Sequence, residues 1–198
     1  VDFDQYAQIA FEPSYTDELE RPLVLSIVQM LWDRGEANGY ANRMTDEPLP
    51  NTPAHEVLMN VGFGDHQVST FTADTQARTI GAQVRSPVVY DGRWPDMQQV
   101  WDVPRIGSYP YSGSALVYWD SGPVRDDPDS VDPADVLGTD PPPVENQPNR
   151  SGADPHELPR RTPAEQQMVS DFLQPDAQSH ITDTCNGGPC FDFTFGGP

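Results

Sequence analysis

The sequence predicts an α/β protein in which a mostly parallel sheet carries flanking helices and a long acidic, proline-rich loop. Residues 55–61 and 114–119 are short apolar runs followed by turn residues, which is typical of strands in a parallel sheet. Segments with helix start and stop signals alternate with them. The 198 residues suffice for one sizeable core, so we expect a single domain or half-domain over residues 1–198.

The first predicted element is a helix over residues 16–34. Thr16 is a suitable N-cap, acidic residues follow it, and Gly35 marks the stop. Residues 23–32 are apolar on most faces of this helix. We therefore expect the helix to be buried, against a sheet.

A strand and its turn are predicted over residues 55–68. The apolar run His55-Glu56-Val57-Leu58-Met59-Asn60-Val61 precedes a Gly-x-Gly, which indicates a central parallel strand. Asp65 then lies just past the carboxyl end of that strand, where ligands and catalytic groups collect in open α/β sheets. A helix over residues 69–80 and a strand over residues 84–90 follow.

Residues 120–152 differ in composition from the rest and predict a surface excursion, not a packed element. Its carboxylates crowd together before three consecutive prolines, at Asp126, Asp127, Asp129, Asp132 and Asp135. Calcium takes several oxygens from such side chains, so a calcium site is one interpretation of this cluster. The cluster lacks the spacing and glycine of an EF-hand, and a solvated acidic loop is the other interpretation.

Residues 154–174 combine a histidine-bearing loop with a helix that runs from about residue 162 to 173. Pro163 suits the first helical position, and Glu165 adds an acid to the first turn. The tail over residues 181–198 alternates Phe191, Phe193 and Phe195 with polar or small residues. This alternation indicates a short edge strand.

The two cysteines of the chain lie in Cys185-Asn186-Gly187-Gly188-Pro189-Cys190. Glycine and proline between them favour a tight turn that brings the sulfurs within bonding range. We therefore predict a Cys185–Cys190 disulfide formed in an oxidising compartment. A zinc half-site is the alternative, but no second Cys/His pair with suitable spacing lies nearby.

The charge of the chain excludes some classes of partner. Acidic residues outnumber basic ones by 31 to 11, and the net charge of −20 opposes binding to nucleic acid and to anionic lipid surfaces. All basic residues are arginine, which a halophilic or marine source and a GC-rich genome explain equally well.

No apolar run reaches the length of a membrane span, and no signal peptide is recognised. We expect a mature or processed chain that is secreted, periplasmic or at the cell surface, although a cloning boundary would look the same.

Two segments place candidate catalytic groups on turns that precede helices. They are Gly62-Phe63-Gly64-Asp65-His66-Gln67-Val68 and Asp154-Pro155-His156-Glu157. An acid followed along the chain by a histidine is the second part of the Ser…Asp…His order found on α/β-hydrolase sheets. The first part is missing, because no Gly-x-Ser-x-Gly occurs in the sequence.

These motifs resemble the C-terminal half of an α/β-hydrolase, over roughly residues 20–175. Val68 fits the hydrophobic residue that commonly follows the acid turn of that family. The wording Asp-Pro-His-Glu-x-Pro-Arg, together with the C-terminal cysteine pair, is similar to secreted or lipoprotein-type bacterial hydrolases of the esterase or lipase kind. We find no cofactor motif.

The resemblance implies a role for each residue of the pair. Asp65 would orient and support the imidazole of His156, which takes a proton from a serine and returns it to the leaving group. The serine and part of the oxyanion hole would come from an N-terminal chain of the same hydrolase, and the substrate would be a small ester. Alone, the chain would be inactive and poorly folded, with an unpaired parallel strand and an exposed apolar helix face.

Each candidate residue also has a simpler interpretation. Asp65 is suited to cap the following helix, and His156 without Asp65 is an ordinary surface histidine. His66 is a rival base if the register differs. Ser112 and Ser114 are the best internal nucleophile candidates, but they precede a strand, which favours a structural turn.

The residues around the presumed site have two interpretations each. Arg160 and Arg161 either clamp a carboxylate substrate or hold the histidine loop through ion pairs with Glu157. Aromatic residues in the loop-rich stretch before the second strand either line an acyl pocket or pack under the loop: Trp94, Trp101, Tyr109 and Tyr111.

A second hypothesis needs no catalysis: an acidic, disulfide-stapled extracellular binding or structural subunit. The hydrolase hypothesis requires the carboxylate of Asp65 within hydrogen-bond reach of the His156 imidazole, at the carboxyl edge of the sheet. The binding-subunit hypothesis places no constraint on these two residues.

Overall fold

The computed structural model describes residues 7–95, 98–144, 149–174 and 180–192. In this part of the chain, helices and strands are mixed and the main sheet is parallel. The α/β prediction is therefore confirmed at this level.

The helices and strands have the following bounds. The α-helices are α1 (Glu12–Ser14), α2 (Arg21–Trp32), α3 (Ala41–Met44), α4 (Thr70–Thr79) and α5 (Pro163–Phe172). A π-helical turn covers Ala7–Phe11, and 3₁₀ turns cover Ala37–Tyr40 and Pro159–Arg161. The strands are β1 (Leu58–Gly62), β2 (Gln83–Val84), β3 (Ala115–Asp120), β4 (Arg125–Asp126), β5 (Val136–Leu137) and β6 (Cys190–Phe191).

The centre of the sheet is β3, all six residues of which are buried. β1 pairs with β3 in parallel along its whole length, from Leu58 opposite Ala115 to Gly62 opposite Trp119. Since β1 occupies one side of β3, β2 and β6 share the other side, where both run parallel to it. The prediction of a central strand before Asp65 is therefore wrong: β1 lies at the edge of the described sheet, and its residues 58–61 are only half-buried.

One helix packs on each face of the sheet. Alternate residues of β3 point to opposite faces, and Leu116 and Tyr118 pack in one core with Ala77 of α4. Val117 and Trp119 pack in the other core with Met168 of α5. The predicted helices over residues 69–80 and 162–173 thus form where the sequence indicated, and they create the two cores.

Helix α2 forms within the predicted range, but the prediction that it is buried is wrong. None of its residues is buried, and neither hydrophobic core includes any of them. No other element of the described chain covers this helix, so its apolar side chains are exposed. No helix among the described residues is long and apolar enough to cross a membrane.

The acidic segment over residues 120–152 is more structured than predicted. β4 and β5 form an antiparallel hairpin within it, and Thr139 and Asn149 are buried at its base. The guanidinium of Arg93 pairs with the carboxylate of Asp120 and donates to the carbonyl oxygens of Gly122 and Thr139. The base is therefore packed because its buried polar groups have partners, while the aspartates lie toward the exposed end.

The tail agrees with the prediction in its described part. Cys185 and Cys190 form a disulfide, and Cys190–Phe191 is a short strand beside β3. Phe193 and Phe195 lie outside the described residues. The predicted strand over residues 84–90 is shorter than expected, because only Gln83–Val84 pairs with β3.

Candidate active site

Gly62 at the end of β1 and Gly64 in the turn after it allow other backbones to approach closely. A Cβ on Gly62 would lie 3.1 Å from the carbonyl oxygen of Pro155, in the histidine loop. Gly64 has a φ of +82°, and a Cβ there would overlap the carbonyl oxygen of Asp140 at the hairpin base. The Gly-x-Gly thus brings the Asp65 turn, the histidine loop and the hairpin base together.

The carboxylate of Asp65 is held by its own turn and contacts His156. Oδ1 accepts hydrogen bonds from the backbone N–H groups of Gln67 and Val68, at 2.7 and 2.9 Å. Oδ2 accepts from Nδ1–H of His156 at 2.8 Å. Asp65 therefore holds its own turn with one oxygen and the imidazole with the other; it does not cap α4, as the simpler interpretation proposed, because the N-cap of that helix is Ser69.

This contact defines the state of the imidazole. A carboxylate only accepts hydrogen bonds, so Nδ1 carries a proton, and the neutral imidazole then has its lone pair on Nε2. No described residue forms a hydrogen bond with Nε2, and the nearest acid, Glu157, has its Oε1 4.0 Å away. The side chain of Asp65 is 8% exposed and that of His156 is 26% exposed. A sheltered acid and an accessible Nε2 are the arrangement that a general base requires.

Asp154 connects the two loops that carry this pair. Its Oδ1 accepts from the backbone N–H groups of His66 and His156, at 3.3 and 3.0 Å, and its Oδ2 accepts from the side chain of Gln67. Burial by itself would raise the pKa of Asp154, but the hydrogen bonds from Gln67, His156 and His66 hold it below the ordinary value. Asp154 is therefore an anionic bridge between the acid turn and the base loop.

The hairpin base supports the same turn from the other side. The side-chain amide of Asn149 donates to the carbonyl oxygens of Gly64 and Asp140, at 2.9 and 2.8 Å. Nε2 of His66 lies 3.3 Å from Oγ1 of Thr139. His66 thus contacts the hairpin and has no hydrogen bond to Asp65, so its geometry does not favour the rival-base interpretation.

A cleft of about 290 Å³ opens beside the pair. Asp65 and His156 line it, together with Ser69, Arg160 and Glu165. The guanidinium of Arg160 lies 3.3 Å from the carboxylate of Glu157, which agrees with the ion-pair interpretation of this arginine. The cleft therefore combines the acid–histidine pair with additional charged groups.

No described serine forms a hydrogen bond with His156. Ser69 is exposed at the start of α4, and its hydroxyl has no hydrogen bond with any described residue. Ser114 is buried and accepts from the backbone N–H of Val57 at 3.0 Å, which is a structural role. Ser121 is also buried, and it donates to Asp192.

The candidate aromatic residues lie outside the cleft. Trp94 packs against Phe63 and Tyr118 in a core, and Arg85 lies over the ring of Tyr109. Trp101 is exposed, and none of the four predicted aromatics lines the cleft in the described chain. The acyl-pocket interpretation is therefore not supported by the positions of Trp94, Trp101, Tyr109 and Tyr111.

The acidic cluster over residues 126–135 uses several carboxylates in its own turns. Oδ1 of Asp127 accepts from the N–H of Asp129, and Oδ1 of Asp132 accepts from the N–H of Ala134. Among the described residues, no group of three or more His, Cys, Asp or Glu side chains is arranged to hold a metal ion. Calcium binding by this loop stays a prediction.

The sequence did not indicate a role in the site for Asp154, Asn60 or Glu165. A local signal for Asp154 exists, since an aspartate commonly accepts from the N–H two residues ahead, as Asp154 does from His156. Asp65 and Gln67 have the same spacing. The contacts of Glu165 with Asn60 and of Asp154 with Gln67 span long stretches of chain, and no local pattern indicates them.

Fold and site together define an α/β protein with an acid–histidine pair at the carboxyl edge of a parallel sheet. No protein-family model matches the chain, nor does any curated protein or any solved structure.

Proposed function

We propose that this chain is the C-terminal part of a serine hydrolase that acts on esters. Asp65 and His156 are the acid and base of its triad, and the serine belongs to an N-terminal part of the same hydrolase. The 2.8 Å contact between Oδ2 of Asp65 and Nδ1 of His156 is the observation that carries the proposal. A turn-capping aspartate and an ordinary surface histidine have no need to meet across a separation of 91 positions.

The first half of the reaction uses the free Nε2 of His156. The serine oxygen attacks the ester carbonyl carbon while Nε2 takes the hydroxyl proton. The tetrahedral intermediate then expels the alcohol, and Nε2–H gives its proton to the leaving oxygen. An acyl-serine and a free alcohol result.

The second half repeats this proton transfer with water. Nε2 takes a proton from the water that attacks the acyl carbon, and returns it to the serine oxygen as the carboxylic acid leaves. Asp65 keeps the imidazole in the Nδ1–H tautomer throughout and stabilises the imidazolium that forms in each half. Its second oxygen stays bound to the turn, so the carboxylate does not rotate away.

Two unsatisfied surfaces support an N-terminal partner. The apolar side chains of α2 lie outside both cores, and no described strand pairs with the outer edge of β1. An open parallel edge and a row of exposed apolar side chains are features that proteins normally cover. An N-terminal part of the sheet is the partner that fits both.

The test is a fluorophosphonate probe applied to the native protein from its source, with intact-mass and native-gel analysis. We expect the label on a second polypeptide that co-migrates with this chain. If the serine lies on an additional segment of the same polypeptide, the intact mass should exceed that of this chain and the longer polypeptide should take the label. His156→Ala should abolish labelling, since an unactivated serine reacts slowly with the probe. His55→Ala is the matched control, because His55 is exposed and lies outside the cleft.

Other outcomes identify which part of the proposal is wrong. If the chain labels by itself and Ser69→Ala removes the label, the nucleophile is internal and no partner serine is needed. If the native protein runs alone, folded and unlabelled, the hydrolase proposal is wrong. The chain is then an acidic extracellular binding or structural subunit.

A further inference from the structure

Glu165 is a buried acid that lines the same cleft as His156. It lies in the first turn of α5 and is 7% exposed, although a glutamate at this position commonly reaches back to the helix cap. The backbone N–H of the N-cap residue Thr162 donates instead to the carbonyl oxygen of Pro159, at 2.9 Å. The carboxyl group of Glu165 is therefore used elsewhere.

A chain of hydrogen bonds defines how this carboxyl group is held. The indole Nε1–H of Trp119 can only donate, and it donates to Oδ1 of Asn60 at 3.0 Å. The amide of Asn60 must then present its Nδ2 on the other side, where it donates to Oε1 of Glu165 at 2.8 Å. Because Trp119 is fully buried on β3, Asn60 cannot turn round without losing this bond.

The second oxygen of Glu165 has no such partner. No described residue donates a hydrogen bond to Oε2, while the residue lines a cleft that contains His156. Burial raises the pKa of Glu165, and the Asn60 hydrogen bond and the Arg160 charge offset this only in part. Oε2 is accessible to a donor in the cleft, since among the described residues only Arg85 Nε and the Tyr109 hydroxyl are enclosed side-chain atoms without a hydrogen-bond partner.

We propose that Glu165, held by Asn60, is a subsite for a positively charged, hydrogen-donating group of the substrate, such as an alkylammonium. The other charges of the cleft agree with a cation, since Arg160 is already paired with Glu157 and Asp65 is paired with His156. The net charge of −20 also attracts cations to the protein as a whole. The assignment to an ester substrate rests on the proposed function, whereas cation binding to the cleft does not.

The first experiment measures binding without catalysis. The native protein, in which this chain is labelled with nitrogen-15, is titrated with n-butylammonium chloride and, separately, with n-butanol, and the side-chain amide signals of Asn60 are followed by NMR. We expect saturable shifts with the ammonium ion and none with the alcohol. Glu165→Gln should weaken binding about tenfold, the usual scale for losing a charge-assisted hydrogen bond.

Two variants distinguish binding of the ammonium ion at Glu165 from its general attraction to an acidic protein. A glutamine side chain keeps an acceptor for Asn60, so Glu165→Gln preserves the structural hydrogen bond and removes only the charge. Asp91→Asn removes one negative charge from an exposed residue outside the cleft, and it should leave binding within about twofold. Equal binding by wild type and Glu165→Gln, equal loss in both variants, or equal binding of butanol would each overturn the proposal.

The second experiment concerns the substrate. The assembled hydrolase is given an ester with a terminal ammonium group and its methyl-terminated isostere, and the ratio of their kcat/KM values is compared between wild type and Glu165→Gln. We expect the ratio to fall about tenfold in the variant. If the serine probe labels the protein but no ammonium ion binds, the cation subsite is wrong and the proposed hydrolase function stands. If the ammonium ion binds but the probe does not label, the subsite stands and only its assignment to an ester substrate is wrong.

Discussion

The side-chain amide of Gln67 donates to Oδ2 of Asp154 at 2.7 Å and connects two loops that lie 87 residues apart. Asp154 also accepts from the backbone N–H groups of His66 and His156. Since one loop carries Asp65 and the other carries His156, the alignment of acid and base depends on a carboxylate that forms a hydrogen bond with neither side chain. Asp154 is thus a positioning residue of the site.

Replacing Asp154 should misalign the pair. Asp154→Ala leaves two backbone N–H groups and one side-chain amide without their acceptor, and we expect about 1–3 kcal/mol of lost unfolding free energy. Labelling of the assembled hydrolase by the serine probe should slow by about tenfold or more. Asp154→Asn retains Oδ1 for the two backbone donors and should restore most of both losses. Urea unfolding and probe kinetics measure the two effects, and equal behaviour of the Ala and Asn variants would contradict this role.

The lowered pKa of Asp154 predicts how its contribution depends on pH. The folded protein holds this carboxyl below its ordinary pKa of 3.8, so its contribution to stability is complete above that value and is lost as pH falls through the folded pKa. We expect the difference in unfolding free energy between wild type and Asp154→Asn to be larger at about pH 6 than at about pH 3. A pH-independent difference from urea titrations would show that the anionic form of Asp154 contributes no stability.

Asp65→Asn should separate catalysis from folding. Asparagine keeps an oxygen for the N–H groups of Gln67 and Val68, so the unfolding free energy should change by less than about 1 kcal/mol. Its amide cannot accept from Nδ1–H in the same way as a carboxylate, and the imidazole loses the required tautomer. We expect the esterase rate to fall by about 10⁴-fold, which turnover measurements on the assembled hydrolase would detect. Asp91→Asn is the control, since Asp91 is exposed and outside the cleft, and it should leave the rate unchanged.

The exposed face of α2 predicts self-association of the chain without a partner. Met30, Leu31 and Trp32 are 71%, 69% and 61% exposed, so replacing all three by glutamine should leave the thermal midpoint unchanged. Sedimentation should show less association, and binding of a hydrophobic dye should fall. Met168→Gln is the contrasting variant, because Met168 is fully buried and its replacement should cost about 3 kcal/mol or more. Unchanged dye binding in the triple variant would place the exposed apolar surface elsewhere.

The disulfide should contribute to the stability of the sheet edge. Cys185 and Cys190 close a short loop, and replacing both by serine should lower the unfolding free energy by about 2 kcal/mol. Cys190 pairs with Trp119 at the end of β3, and Asp183 beside the loop pairs with the buried Arg85. Hydrogen exchange should therefore accelerate in β6 more than in β1. Uniform exchange rates in the double variant would mean that the loop acts independently of the sheet.

Local patterns in the sequence were sufficient for several elements. The helices α4 and α5 and the strand β3 form within a residue or two of their predicted bounds, because their periodicity and capping signals depend on near neighbours. The same applies to the cysteine turn, which needs only five positions of chain. Helix α2 shows the limit, since its apolar composition predicted a helix correctly and its burial wrongly.

The sequence alone identified Asp65 and His156 as the candidate acid and base, since each lies on a turn before a helix signal. Only the tertiary structure brought them within 2.8 Å, through the close approach at Gly62 and the bridge made by Asp154. It also placed β1 at the edge of the described sheet and Glu165 beside His156. These relationships depend on which distant surfaces meet when the cores close, and that information is absent from any short stretch of sequence.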